Sequence, residues 1–112
     1  MPTIETCGHA SKRTEFSYLR NVRDGIVLEF ESGNFEISSE ILNAVLLQFR
    51  GQAVRGGFSM TDPSSGGVGE FLAAQNRRLT PRHASFICAV FQNENYAQCL
   101  LDGNAVVVTF NA

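Results

Sequence analysis

Residues 62–70 hold three glycines within four positions and suggest a site for a bound anion. They read D-P-S-S-G-G-V-G-E and precede an apolar stretch that predicts a helix. Backbone N–H groups at a helix N-terminus can bind an anion, and glycine lets a ligand approach them closely. The predicted ligand site at this helix start consists of Ser65, Gly66, Gly67 and Gly69.

The same stretch carries no nucleotide-binding motif. A P-loop needs a lysine after its glycines, and the only lysine of the chain is Lys12. A dinucleotide fingerprint needs a third glycine where this chain has Leu72, and no βαβ unit surrounds it. The structural alternative is a flexible approach to a helix in which Glu70 benefits from the helix dipole. The sequence therefore predicts no cofactor.

A basic cluster follows at the junction between two predicted helices. Arg77 and Arg78 suit the last turn of one helix, because cations are stabilised at a helix C-terminus. Arg82 and His83 fall in the first turn of the next, where positive charge opposes the helix dipole. A small anionic ligand or the acidic group of a partner would resolve this conflict, so Arg78, Arg82 and His83 join the predicted site. A solvated patch, a nucleic-acid contact and catalysis by His83 stay open as alternatives.

Three glutamates, Glu29, Glu31 and Glu36, are predicted to share one face of a hairpin. Paired carboxylates can hold a metal or transfer protons, but both roles need a partly buried site. The alternation of polar and apolar residues here predicts an exposed face that discourages stray strand pairing.

Three cysteines, Cys7, Cys88 and Cys99, form an odd set without C-x-x-C spacing. A chain of this size can bury a core without cross-links, so we expect reduced thiols, with Cys88 and Cys99 as small core residues. No spacing that includes Cys7-Gly8-His9 matches a structural zinc site, and no metal site is predicted.

The elements that must position these residues begin with a strand meander. Period-2 patterning over 16–38, with turn signals at Asp24-Gly25 and Ser32-Gly33, predicts three antiparallel strands. A two-residue turn at Ser32-Gly33 would pair Phe30 with Phe35.

Three helices are expected next, separated by a glycine-rich loop over 52–67 with one short strand near Phe58. Apolar residues at helical spacing, N-cap residues and a Thr-Pro start signal support them. The last is apolar almost all round, which predicts a central, buried helix. The predicted helices run from Ser38 or Ser39 to about Gly51, from about Val68 to Arg78, and from Thr80-Pro81 to about Asn93.

A β-hairpin closes the predicted fold, with strands over 97–101 and 105–110 joined at Asp102-Gly103. A two-residue turn at Asp102-Gly103 would set Cys99 opposite Val106 and place Leu101 on the buried face. The order βββ-α-αα-ββ lacks βαβ alternation and therefore predicts an α+β fold. We expect a flexible head over 1–14 and a single compact domain over 15–112.

Composition excludes several classes of protein. The 112 residues are 44% apolar and 18% charged, which is typical of a globular chain. A formal net charge of −2 disfavours sequence-independent nucleic-acid binding. No apolar run is long enough to cross a membrane, and the first residues lack a secretory signal, so we expect a cytoplasmic, non-membrane protein.

The stretch from Asp62 to Phe110 resembles small uncharacterised bacterial proteins encoded on mobile integron gene cassettes. The resemblance rests on S-S-G-G-V-G-E-F-L-A-A-Q and on L-T-P-R-H-A-S-F-I. It covers under half of the chain and carries no chemical motif. It implies a compact, self-associating protein, without transferring any site residue.

The sequence thus favours a small binding or interaction module that forms a homodimer through a sheet face or hairpin edge. One alternative is a winged-helix-like nucleic-acid-binding regulator, with the third helix as reader and the closing hairpin as wing. The other is an enzyme of unrecognised type.

Overall fold

A computed structural model describes residues 3–8, 14–30, 33–60, 65–103 and 105–112. Its elements form two antiparallel sheets, with strand orders β1-β2-β3-β4 and β5-β7-β6, packed with three helices into one body. The predicted α+β class is confirmed. The elements are β1 Ile4–Glu5, β2 Glu15–Asn21, β3 Gly25–Phe30, β4 Gly33–Ile37, α1 Ser39–Phe49, β5 Ala53–Arg55, α2 Val68–Gln75, α3 His83–Asn93, β6 Ala97–Asp102 and β7 Ala105–Phe110.

The predicted meander forms β2, β3 and β4, but the pairing of β3 with β4 is shifted by two residues. Phe35 lies opposite Leu28 and not opposite Phe30, while Ile26 lies opposite Ile37. Side chains alternate with period 2, so a shift of two keeps the same residues on the core face. The hydrophobic pattern therefore predicted the buried face correctly, whereas it could not fix the register.

Part of the predicted head belongs to the first sheet. Ile4 pairs with Phe16 in the β1–β2 ladder, and the Thr6 N–H donates to Thr14 O at 2.9 Å. The Cys7 N–H then donates to Ser85 O of α3 at 3.1 Å. A strand of two residues is too short to show a period, so sequence patterning alone could not reveal it.

α1 has the predicted limits. The Ser38 hydroxyl accepts a hydrogen bond from the Ile41 N–H at 3.4 Å and caps the first turn. Gly51, with φ of 72°, follows its end, as expected for a residue that stops a helix in the left-handed region. Leu42 and Val45 bury the apolar face of the helix.

α2 and α3 are both shorter than predicted. α2 ends at Gln75, because Asn76 is extended and its side chain accepts from the Arg78 N–H at 2.9 Å. Arg77 and Arg78 therefore lie outside its last turn. Thr80–Arg82 forms a turn in which Thr80 O accepts from the His83 N–H at 3.0 Å, so α3 itself begins at His83.

The prediction that the third helix is central is confirmed. Phe91 is fully buried and packs against Phe110 of the second sheet at 6.0 Å between ring centroids. Phe86 packs edge-on against Phe16 of the first sheet at 5.0 Å. α3 therefore lies between the two sheets. Its buried residues are Ala84, Ile87, Cys88, Ala89, Val90 and Phe91.

The second sheet differs from the predicted hairpin in two details. Its short strand lies at Ala53–Arg55, where Val54 pairs with Val108, and not near Phe58. Within the β6–β7 hairpin, Cys99 pairs with Val108 and not with Val106. The hairpin turn therefore falls one residue later than the Asp102-Gly103 signal indicated.

Glu94, at the C-terminal end of α3, links this helix to β2 and the turn after it. Its carboxylate accepts from the Tyr18 hydroxyl at 2.8 Å and from the Val22 N–H at 3.0 Å. These bonds stabilise a negative charge that the helix dipole would disfavour at this end. Burial first, and then Glu94, raises the pKa of Tyr18, against a hydrogen bond from Asn93 that lowers it.

None of the helices that the structure describes is long and apolar enough to span a bilayer.

Candidate functional site

The N-terminal N–H groups of α2 are partly used by the protein itself. The Gly69 N–H donates to Gly56 O at 2.8 Å, and a side chain at Gly69 would overlap Gly57 O. The carboxylate of Glu70 accepts from the Gly66 N–H at 3.1 Å. A carbonyl and a carboxylate therefore lie where the sequence predicted a small anion, and close packing explains the glycine at position 69.

The remaining predicted residues of this stretch add no ligand-binding feature. Ser65 is exposed, and Gly67 is the buried N-cap of α2, whose carbonyl accepts from the Phe71 N–H at 3.2 Å. No side chain caps this helix start.

The predicted basic cluster is divided between two places. The Arg78 guanidinium lies 5.2 Å from the centroid of the Phe35 ring, and the His83 ring stacks on the same ring at 4.6 Å. Arg82 instead lines a groove beside Cys7. The structure thus brings Arg78 and His83 together around an aromatic side chain on β4, without Arg82.

His83 acts as a neutral hydrogen-bond acceptor at the start of α3. The Thr80 N–H donates to its Nδ1 at 3.0 Å, which requires an unprotonated nitrogen at that position. Burial lowers the pKa of His83, in agreement with this state. For His83 the predicted conflict with the helix dipole is therefore avoided, because the ring carries no positive charge, whereas Arg82 remains at the N-cap of α3. Its contacts, Thr80 and Phe35, include neither a carboxylate nor a thiol.

The acidic face shows no sign of a metal or acid–base site. Glu29 accepts from the Ser17 hydroxyl at 3.1 Å, and Glu36 is exposed on β4. Glu31 lies outside the described residues. Within the described ranges, no group of three or more His, Cys, Asp or Glu side chains could hold a metal ion.

The expectation of three reduced cysteines is wrong for two of them. Cys7 and Cys99 form a disulfide with a Cα–Cα distance of 6.1 Å, and 92 positions separate them in the sequence. So large a separation leaves no local spacing from which the pairing could be inferred. Cys88 is the buried core thiol that we expected, and burial raises its pKa well above the ordinary value.

Two grooves meet at this disulfide. The first, which we call the β1–β6 groove, has a volume of about 440 Å³ and runs between Glu5 of β1 and Leu101 of β6, over Gln92 of α3. The second, the Phe58 groove, has a volume of about 460 Å³ and includes Arg82. Cys7 lines both of them. No residue of 65–70, the described part of the predicted anion-binding stretch, lines either groove.

β6 borders the first groove with an open backbone edge. Asp102 and Ala105 are the pair that closes the hairpin. Because hydrogen-bonded and non-hydrogen-bonded pairs alternate along an antiparallel ladder, the N–H and C=O groups of Ala97, Cys99 and Leu101 point away from β7. Gln92 Oε1 accepts from the Cys99 N–H at 2.7 Å, in the place of a neighbouring strand. No such contact reaches the Leu101 N–H from the part of the chain that the structure describes.

Two adjacent leucines make this edge apolar. Leu100 is 48% exposed and Leu101 is 49% exposed, on opposite faces of β6. Leu101 lies on the same face as Val108 and Phe110, as the sequence predicted, but the expectation that it is buried is wrong. α3 ends at Asn93 and β1 lies across the groove, so neither element covers Leu101.

β6 is the longest of the four edge strands. β1 has two residues and β5 has three, whereas β4 carries a charge at Glu36. β6 is six residues long and contains no lysine, arginine or proline, the residues that commonly block edge pairing. The sequence predicted this strand and an interacting hairpin edge, but not the exposure of Leu101.

No protein-family model, curated protein or solved structure matches the chain.

Proposed function

We propose that this protein is a small interaction module that forms a homodimer through β6. The observation that carries the proposal is the edge of β6 at Leu101, which no described residue pairs with and where Leu100 and Leu101 are half exposed. A second copy offers the same edge, so an antiparallel pair of β6 strands would join two three-stranded sheets into one. Each copy would cover the leucines of the other, which favours association through burial of apolar surface.

Charge along β6 is compatible with such a pair. Asp102 is the only charged residue of the strand. In an antiparallel pair centred on Leu101, Asp102 lies opposite Leu100 of the second copy, so the two carboxylates do not oppose each other directly. The resemblance to integron-cassette proteins also implies self-association.

The test is Leu101→Lys, with Leu47→Lys as the matched control. Leu47 is 73% exposed on α1, so the control introduces the same charge on another face. We expect sedimentation velocity to find a wild-type dimer, a monomeric Leu101→Lys variant and a dimeric Leu47→Lys variant. A wild-type monomer at every concentration, or dissociation by Leu47→Lys alone, would contradict the proposal.

Geometry favours the interaction module over the two alternatives. A reader helix must present polar side chains to a DNA groove, whereas six of the eleven residues of α3 are buried between the sheets. Catalysis by His83 is disfavoured because its neutral ring already accepts from the Thr80 N–H. A small anion at α2 would compete with Glu70.

The cytoplasmic setting belongs to the same proposal. Cytosolic reductants keep most thiols reduced, and disulfides that form there are usually transient or redox-sensing. In that compartment the Cys7–Cys99 pair would exist in both states, not as a permanent cross-link.

A further inference from the structure

The Cys7–Cys99 disulfide lies where the two sheets approach each other over α3. The Cys7 N–H donates to Ser85 O, and the Cys99 N–H donates to the Gln92 side chain. Ser85, Ala89 and Gln92 are spaced i, i+4 and i+7, so they share one face of the helix. The disulfide therefore ties the N-terminal segment 3–8 to β6 on the same face of α3.

This tie limits how much of β6 a partner strand can reach. Neighbouring strands lie about 4.8 Å apart, so a strand inserted between two others needs them about 9.6 Å apart. The Cα atoms of Cys7 and Cys99 are separated by 6.1 Å, which leaves no room for a third backbone between them. A partner strand can then pair only beyond Cys99, at Leu101.

The open length differs with the state of the disulfide. An outward-facing residue in an antiparallel pair exchanges two hydrogen bonds with its partner. With the disulfide closed, only Leu101 is available, and two β6 strands paired symmetrically at Leu101 would share about two hydrogen bonds. With segment 3–8 moved aside and the Gln92 side chain turned away from the Cys99 N–H, a pair centred on Cys99 gains about six bonds through Ala97, Cys99 and Leu101.

Besides the disulfide, segment 3–8 is held by a short strand, by hydrogen bonds that include one from the Thr3 hydroxyl to Glu15, and by the buried Thr6. β1 contributes two residues to the first sheet, and Thr6 and Cys7 add the hydrogen bonds to Thr14 and Ser85. The half-buried Ile4 adds a limited apolar contact. Short edge segments of this kind open locally while the rest of the fold stays intact.

We propose that the Cys7–Cys99 disulfide is a redox latch on β6, and that its reduction frees the full strand for a second copy of this chain. The proposal rests on the function proposed above and names its regulation. Oxidised protein self-associates weakly through Leu101, and reduced protein self-associates strongly through all of β6.

The chemical step requires a dithiol reductant. Cys99 is the more exposed of the two residues, so one thiolate of the reductant attacks its Sγ. Cys7 Sγ then leaves as a thiolate and takes up a proton. The second thiol of the reductant then displaces Cys99 from the mixed disulfide. Two electrons and two protons pass to the protein, and the reductant becomes a disulfide.

The test compares self-association of the whole chain in both states, with dithiothreitol as the reductant. Cys7→Ser serves as a permanently open latch, and Cys88→Ala is the control, because Cys88 is buried and unpaired. We expect reduction and Cys7→Ser each to lower the dimer Kd at least about tenfold, since several hydrogen bonds are added. Cys88→Ala should respond to dithiothreitol as the wild type does.

Hydrogen exchange at a concentration where the protein is monomeric separates the latch from self-association. Faster exchange in segment 3–8 on reduction, with α3 still protected, supports the latch even if no dimer forms. In that case only the proposal of self-association would be wrong. Equal dimer Kd and unchanged exchange in both states would overturn the latch while self-association stands. Loss of α3 protection on reduction would also overturn it, because the disulfide would then hold the fold and not the edge.

Discussion

Gly69 illustrates how a single residue can look functional for a purely structural reason. Its position at a helix start, next to two other glycines, is typical of an anion site. In the fold, the backbone of Gly56 and Gly57 passes so close that no side chain fits. Residues 56–57, which follow β5, are thereby packed directly against the start of α2, backbone to backbone.

The first prediction concerns this contact. Gly69→Ala should destabilise the protein by about 1–3 kcal/mol, since the new methyl group meets backbone and Pro81, which cannot move aside. This cost exceeds the gain of up to about 1 kcal/mol from alanine's better helix propensity. Urea unfolding at equilibrium measures the difference.

Gly66→Asn is the matched control for that substitution. No atom lies within 4 Å of a Cβ at Gly66, and asparagine tolerates its φ of 74°. Its stability should stay within about 0.5 kcal/mol of the wild type. Equal loss in both variants would mean that the Gly57 contact is not the cause.

At the scale of elements, the start of α3 depends on a histidine in a role that glutamate or glutamine usually fills. In a capping box, the side chain of the fourth residue accepts from the backbone N–H of the first, and His83 makes the same bond to Thr80 across the turn that precedes α3. Protonation of Nδ1 would remove this acceptor. It would also place a cation at the helix N-terminus, where the dipole disfavours it.

The second prediction is therefore a pH dependence. Burial lowers the pKa of folded His83 below the ordinary 6.5, so the unfolded chain binds the proton first as the pH falls. Stability should be full above pH 6.5 and decrease below it, down to the folded pKa. His83→Gln keeps an acceptor without titrating, so it should lack this part of the decrease.

Urea unfolding at several pH values, together with an NMR titration of the His83 ring, checks this prediction. The ring titration distinguishes His83 from His9, the other histidine of the sequence. A folded His83 pKa at or above 6.5 would contradict it.

Elements with strong local signals could be predicted from the sequence, and their registers could not. Serine capping and apolar spacing gave the limits of α1, and the all-round apolar pattern gave the burial of α3. Both hairpins kept their predicted faces but were shifted by two residues, because alternation has period 2 and determines the face alone. α2 ended early because Asn76 competes for a backbone N–H.

At the scale of the whole molecule, the disulfide closes most of the chain into one covalent loop. A cross-link between positions 92 apart removes much conformational freedom from the unfolded chain. The sequence offered no means to predict this contact, nor the groove beside it, since both arise from segments that are distant along the chain. The candidate site was therefore predicted less well than the fold.

The third prediction is the stability effect of this loop. Cys7→Ser should lower the free energy of unfolding of the oxidised protein by about 2–5 kcal/mol, which leaves a typical domain folded. Cys99→Ser should cost about the same, and the double variant no more than either, because one bond is lost in all three. Additive losses in the double variant, by urea unfolding without reductant, would show that the two cysteines contribute separately.

The position of Cys99 has a consequence for the order of events during synthesis. β5 cannot pair until β7 has been synthesised, and Cys7 cannot form its disulfide until Cys99 has been synthesised. A ribosome adds about 5–20 residues per second, so Cys7 waits several seconds after its own synthesis for its partner. Throughout that interval the nascent chain presents a thiol and an unpaired strand to its surroundings, which makes this the period in which a chaperone has most influence on the outcome.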